Sequence, residues 1–390
     1  MDLVSKHAAA RWEKPRSAYI HIPFCRHRCG YCNFSVVADR DDLIDRYVKA
    51  IKKELCRLKR PLLDTLFLGG GTPTHLSNSQ LNKLLESLNQ LFDLNELTEF
   101  SVEANPEDTD QEKLDCLRSW GVNRISFGVQ SFRAEKLNTL QRNHTGKEAV
   151  AAIELAAKIF NNLSIDLIFG APGETTSQWE EDLQTALALP IQHLSTYALT
   201  YEKGTQFWNQ RRQGAIKPVD EQTEVEMYQA ALNQCGEKGY QHYEISSFEK
   251  DNHRCLHNLA YWKGEGWYAA GPGAARFVDG FREVNHRSTF TYLRRMEKGI
   301  SPTEESEPID AIQYASERIA FGIRLIEGIC LPTLDRQLGM ETYHLFSKAI
   351  LRSIEDGLIE DSAGHLKLTR KGILFADTVA QRFLDSSAVI

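Results

Sequence analysis

The chain has 390 residues, more than one hydrophobic core usually serves, so at least two domains are expected. Its composition, 42% hydrophobic and 25% charged, is that of a globular protein rather than a disordered or fibrous one. A net charge of −7 and the lack of any long Lys/Arg run argue against a general nucleic-acid or anionic-membrane surface. Residues 1–14 mix charges with small residues and do not read as a signal peptide. No apolar run approaches the roughly 20 residues of a membrane span, so a cytoplasmic location is expected.

After a short extension (1–16), strand-like and helical runs alternate. Ala18 to Ile22 reads as a first strand, followed by the loop Cys25-Arg26-His27-Arg28-Cys29-Gly30-Tyr31-Cys32. A helix opens at Asp41-Asp42 with apolar residues on one face. Thr65 to Leu68 is a second strand ending in Gly69-Gly70-Gly71-Thr72-Pro73. Further strands are expected at Glu99 to Glu103, Arg124 to Val129, Leu163 to Phe169 and His193 to Leu199. Helices are expected at 79–92, 112–120, 146–160, 179–189 and 221–234. Such alternation implies parallel strands joined by right-handed crossovers, with chemistry at the strands' C-terminal ends. Six units suit an incomplete (β/α)6 barrel, here residues 17–250, in an α/β fold.

Residues 251–300 are rich in Gly, His, Asn and aromatics and lack a long period. In an expected C-terminal domain (301–390) helices return from Asp310, and the order helix (340–356), strand (358–361), strand (365–368), helix (369–384) reads as a winged-helix-like module. Its recognition-like stretch is not notably basic, which favours a packing or lid role over DNA binding.

The chemistry starts at the cysteine loop. Of eight cysteines, Cys25, Cys29 and Cys32 are clustered and the others scattered, a pattern for a metal rather than a disulfide framework. Three thiolates can hold three irons of a [4Fe-4S] cubane and leave the fourth open to an outside ligand. Zinc is the alternative, with His21 and His27 nearby, but there is no second cysteine pair to complete the usual four ligands.

The Cys-x3-Cys-x2-Cys loop after the first strand, with Tyr31 just before the last cysteine, resembles the signature of the radical S-adenosylmethionine (SAM) superfamily. The resemblance implies that the open iron chelates SAM. Within the superfamily the chain is similar to the branch containing oxygen-independent coproporphyrinogen III oxidase and the HemW haem chaperones. That likeness implies that Gly70, Gly71 and Thr72 belong to a loop cradling the methionine end of SAM, and that Glu103, Gln130, Arg142 and Asp166 contact SAM. Arg142 would pair with its carboxylate, a match for a guanidinium fork. Tyr19, Tyr31 and Ala198 fall on pocket positions as well.

Two departures point away from the oxidase. Its pattern carries a further cysteine two residues past the third, where this chain has Phe34, and it has an N-terminal extension that nothing here resembles. Decarboxylation of coproporphyrinogen III is therefore not expected, although the oxidase, or another radical-SAM enzyme acting on a tetrapyrrole, remains the alternative. His257-Asn258-Leu259-Ala260-Tyr261-Trp262 matches the His-Asn-x-x-Tyr-Trp motif of the chaperone branch. A histidine can ligate haem iron, and aromatics can stack on a porphyrin, so His257, Asn258, Tyr261 and Trp262 are the candidate haem-binding residues. Cys255, His242 and His253 are rival ligands. The resemblance further implies haem as cargo, a recipient haem protein reached at a membrane by peripheral contact, and a reduced flavodoxin or ferredoxin-type electron donor. Turnover of SAM, if any, would be slow.

Overall fold

Every apolar run expected as a barrel strand pairs with its neighbour in sequence. The computed structural model describes residues 12–58 and 60–387, so most of the expected extension (1–16) lies outside the described residues. The strands are β1 (Ser17–Ile22), β2 (Thr65–Gly70), β3 (Glu99–Ala104), β4 (Arg124–Gln130), β5 (Leu163–Phe169) and β6 (His193–Ala198), all parallel and side by side in that order. β2 is buried at every position, as a strand covered on both faces must be. β1 and β6 do not pair with each other, so the barrel stays open.

Helices Ile44–Leu55, Asn78–Asn89, Gln111–Ser119, Gly146–Ala156, Thr176–Leu187 and Glu221–Glu237 lie between or after these strands. Local chemistry starts several of them. Ser77, Thr145 and Thr175 each form a capping box with Gln80, Glu148 and Gln178, satisfying backbone N–H groups that a helix start leaves free. Two short helices were not legible in the sequence, Ala134–Thr139 and Gln206–Arg212.

The sheet does not stop at residue 250. β7 (Gln241–Glu244) and β8 (Ser247–Glu249) form an antiparallel hairpin on β6. After a seven-residue helix, Leu256–Trp262, strand β9 (Trp267–Ala270) pairs in parallel with the free edge of β1. Antiparallel β10 (Ala275–Val278), β11 (Phe281–Asn285) and β12 (Thr303–Pro308) follow, giving one twelve-stranded sheet. The gly- and aromatic-rich 251–300 stretch thus seals the edge that barrel closure would otherwise have covered.

A second core surrounds helix Ala311–Gly322. Around it pack β13 (Ile329–Cys330), β14 (Ile359–Ser362), β15 (His365–Leu368) and helices Leu331–Leu338, Thr342–Leu345, Ser347–Glu355, Arg370–Leu374 and Ala376–Ser387. The helix–wing–helix order is as expected, but each long helix is interrupted, at Phe346 and at Phe375. The break at Phe346 turns its fully buried ring into the core edge-on to Phe383, 6.2 Å away. No helix among the described residues is long and apolar enough to cross a membrane.

Candidate functional site

β1 delivers the cysteine loop. Phe24–Cys25 pairs with Val37–Ala38, closing the loop at its base, and the Cys32 N–H turns back onto the Cys29 carbonyl at 3.1 Å. The Cys25 sulfur accepts from the Thr72 hydroxyl at 3.6 Å, and the Cys29 sulfur from Arg142 Nη1 at 3.5 Å. Burial pushes the Cys25 thiol up to about 12 and raises Cys32 as well. Thiols this desolvated ionise only against cationic charge, which irons supply. No three His, Cys, Asp or Glu side chains among the described residues converge as they would on a single ion. A cubane instead spreads its thiolates over separate irons, and the donor set of one three-cysteine loop fits that group.

The glycine run at the end of β2 lies against this loop. Gly71 N–H donates to Ile22 O and Thr72 N–H to Phe24 O, both at 2.8 Å. A Cβ on Gly71 would meet the Phe24 carbonyl at 2.6 Å, and one on Gly70, whose φ is +104°, would strike the His21 ring. The demand for glycine is therefore already made by the cysteine-bearing strand, whatever the run also cradles.

Polar strand ends tie the loop down. Arg142 Nη2 donates to Asn105 Oδ1 at 2.7 Å and to Gly128 O at 2.8 Å, and Asn105 Nδ2 donates to Thr72 Oγ1 at 3.0 Å. This chain of contacts links Arg142 and Cys29 on one side to Thr72 and Cys25 on the other. Asn105 was missed as a site residue, though its place directly after β3 was the available signal. The buried Nε of Arg142 has no partner among the described residues. Gln130 ends β4 with φ +65°, where the pairing with β5 slips by a residue. Tyr31 packs edge-on to Phe207, 6.2 Å away, and Phe207 N–H holds the Gly30 carbonyl at 2.9 Å. Ala198 ends β6.

Below these strand ends lies a cavity of about 570 Å³, within the range of ligand pockets. Tyr19, Gly70, Glu103 and Asp166 line it from the strands, and Phe34, 63% exposed, stands at its wall. The Tyr19 hydroxyl lies 3.0 Å from His21 Nδ1. Glu103 accepts from Gly70 N–H at 2.9 Å; burial, aided by Asp166, nonetheless pushes its carboxyl up to about 7. Burial also raises Asp166, against Arg124 and the hydroxyls of Ser195 and Ser126. Arg142, Gln130, Tyr31, Ala198 and the three cysteines are not part of this wall, so the expected SAM residues form two groups, one around the loop and one inside the barrel.

The helix Leu256–Trp262 reaches the cavity from the opposite ends of the strands. Glu99, the first residue of β3, accepts the backbone N–H groups of Leu256 at 2.8 Å and His257 at 3.1 Å. His257 is 1% exposed. Its Nδ1 lies 2.9 Å from the hydroxyl of Thr65, the first residue of β2, and its Nε2 lies 2.8 Å from the Tyr261 hydroxyl. Burial, with Arg124 nearby, pulls the imidazole down to about 3, so it is neutral. His257, Asn258, Tyr261 and Trp262 all line the cavity. So do Tyr314, Glu317, Arg318 and Phe321 of helix Ala311–Gly322, which brings the C-terminal part onto the site. The rival ligands lie off this wall. Cys255 is buried with its thiol on Glu99 at 3.6 Å, His242 stacks on Phe248, and His253 bonds the Lys250 carbonyl.

Residues 19–186 match the family described as the Radical SAM superfamily, and 309–375 the HemN C-terminal domain. The chain is 36% identical over 376 residues to the heme chaperone HemW of Bacillus subtilis, covering 95% of this chain and 99% of that one. It is 33% identical to HemW of Lactococcus lactis, covering 95% and 98%. Among solved structures, coproporphyrinogen III oxidase (HemN) from Escherichia coli superposes with a TM-score of 0.83 at 23% identity, over 96% of this chain and 91% of that one, and so shares the fold. The chain belongs to the radical SAM superfamily and, within it, to the HemW family.

Proposed function

We propose that this protein is a haem chaperone that carries a [4Fe-4S] cluster and SAM, binds haem in the barrel cavity and passes it to a recipient haem protein. One observation carries the reading: a single cavity joins two strand carboxylates, Glu103 and Asp166, to the aromatic helix of His257, Asn258, Tyr261 and Trp262. The family relatives bear the name heme chaperone.

Cys25, Cys29 and Cys32 would hold the cluster. Arg142, Gln130 and the backbone of Gly70, Gly71 and Thr72, with Tyr19 and Tyr31 beside them, would orient the amino-acid end of SAM. Glu103 would face its amino group, and Asp166 and Ala198 the rest of it. When bound, this pair supplies one-electron and radical chemistry. Arg142 would give the fixed positive charge that a carboxylate needs next to the loop. Phe34 puts an apolar ring where the oxidase pattern has a thiol. His257, neutral at any physiological pH, has the right charge state for a metal ligand but must give up the Tyr261 hydroxyl to become one. We further propose a cytoplasmic location, peripheral docking to a membrane-borne recipient, and reduction by a flavodoxin or ferredoxin-type donor.

The test is anaerobic. The reconstituted, reduced protein is titrated with haem, and separately incubated with SAM and coproporphyrinogen III. A Soret shift without protoporphyrinogen is expected. Protoporphyrinogen formation would make the protein an oxidase, and a Soret band unmoved by the protein would end the chaperone reading.

A further inference from the structure

Three side chains on the cavity wall carry a buried N–H with no acceptor among the described residues: Arg124 Nε, Trp262 Nε1 and Arg318 Nε. All three are donors, and no orphaned acceptor belongs to the wall. Buried donors of this kind are costly unless an acceptor meets them, and a buried guanidinium more so.

Arg124 is the extreme case. It is 2% exposed, at the first position of β4. Burial works against its charge, and its neighbours Cys255, Glu99, Tyr243 and Asp166 sustain it. None of the four takes its buried Nε as a hydrogen-bond donor. Glu99 is already engaged by Ser101 and two backbone N–H groups, and Asp166 by Ser126. Side chains alternate along a strand, so Arg124, Ser126, Gly128 and Gln130 share the inner face. Arg124 lies roughly 13 Å below Gly128, at about 3.3 Å per residue. Gly128 marks the level of Arg142, whose guanidinium bonds its carbonyl. An anion at Arg124 is therefore a different group from one held at Arg142, at the His257 end of the strands.

We infer that Arg124, on the cavity wall it shares with Trp262 and Arg318, receives a carboxylate of the cargo, a propionate of the porphyrin. A planar fork of N–H donors suits a carboxylate, and the surrounding aromatic wall suits the macrocycle. The assignment rests on the haem reading above and names the part of the cargo this protein would read.

Haem and haem dimethyl ester, whose propionates are blocked, separate the two ideas. Each is titrated against the wild-type protein, Arg124→Gln and Arg124→Lys, following the Soret band. The wild type is expected to bind haem about tenfold to a hundredfold more tightly than the ester, the range for one charge-assisted hydrogen-bonding group. Arg124→Gln should close that gap by weakening haem alone, and Arg124→Lys, which keeps the charge, should restore part of it. A merely structural arginine would weaken both porphyrins alike. Equal affinity of the wild type for haem and ester, or a gap that survives in Arg124→Gln, overturns the assignment while leaving the haem reading intact. The wild-type comparison decides this even if the glutamine variant does not fold. No Soret change with either porphyrin overturns the haem reading, and the assignment with it.

Discussion

Removing the Tyr261 hydroxyl should tighten haem binding rather than weaken it. Thr65 Oγ1 donates to Ser17 Oγ at 3.0 Å, so the short contact between Thr65 and His257 assigns the imidazole proton to Nδ1. The Nε2 lone pair then accepts the Tyr261 hydroxyl at 2.8 Å. That lone pair is the one an iron would need, so ligation in the wild type first breaks this hydrogen bond. A buried neutral hydrogen bond has a net value of about 0.5–1.5 kcal/mol, so Tyr261→Phe should raise haem affinity by about twofold to tenfold. Phenylalanine keeps the ring edge-on to His257 at 5.0 Å and to Trp267 at 4.9 Å, so the wall is preserved. Protons do not compete in this comparison, because the imidazole titrates at about 3. Soret titrations of the wild type, Tyr261→Phe, His257→Ala and the double variant give the test. The gain should vanish in the double variant. A Tyr261→Phe protein that binds haem no better, or a gain that persists without His257, would refute ligation through Nε2.

Other expectations follow from the loop and the strand ends. Cys29→Ala should abolish the brown iron–sulfur absorbance on reconstitution, and a full iron and sulfide load would contradict the cluster assignment. Gly71→Ala forces a methyl group to 2.6 Å from the Phe24 carbonyl and should lower stability by about 1–3 kcal/mol in denaturant unfolding. The same change at Gly236, inside helix Glu221–Glu237 with nothing within 4 Å of its missing Cβ, should instead stabilise by about 0.5–1 kcal/mol. Glu103 is protonated below about 7 in the free protein. Binding an ammonium group there requires the carboxylate, so SAM affinity should rise with pH up to about 7 and level off above it. The slope should approach tenfold per unit on the acid side. Glu103→Gln should flatten this profile, and a flat wild-type profile measured by calorimetry would remove Glu103 from the site.

Much of the barrel was legible because its signals are local. Apolar runs ending in glycine, proline or polar loops define β1 to β6, and Ser77, Thr145 and Thr175 announce helix starts within four residues. The cysteine loop follows β1, and Gly70, Glu103 and Gln130 lie at the ends of β2, β3 and β4, whereas Arg142 lies in the loop before helix Gly146–Ala156. The short strands between residues 267 and 308 were not legible, since β9 is stable only as an addition to the β1 edge and β10, β11 and β12 each only on the strand before.

The amino-acid sequence by itself determined the order of the parallel strands, the three clustered thiols and the kinship that gives them meaning. Tertiary structure alone decided where the His257 helix sits, at the ends of β2 and β3 far from the cysteine loop, because its hold is Thr65 and Glu99, more than 150 residues away. It decided that both imidazole nitrogens are engaged and that Arg124 is buried with no acceptor for its Nε among the described residues. A sequence pattern states which face a side chain takes, whereas hydrogen-bond satisfaction depends on which distant groups share that face.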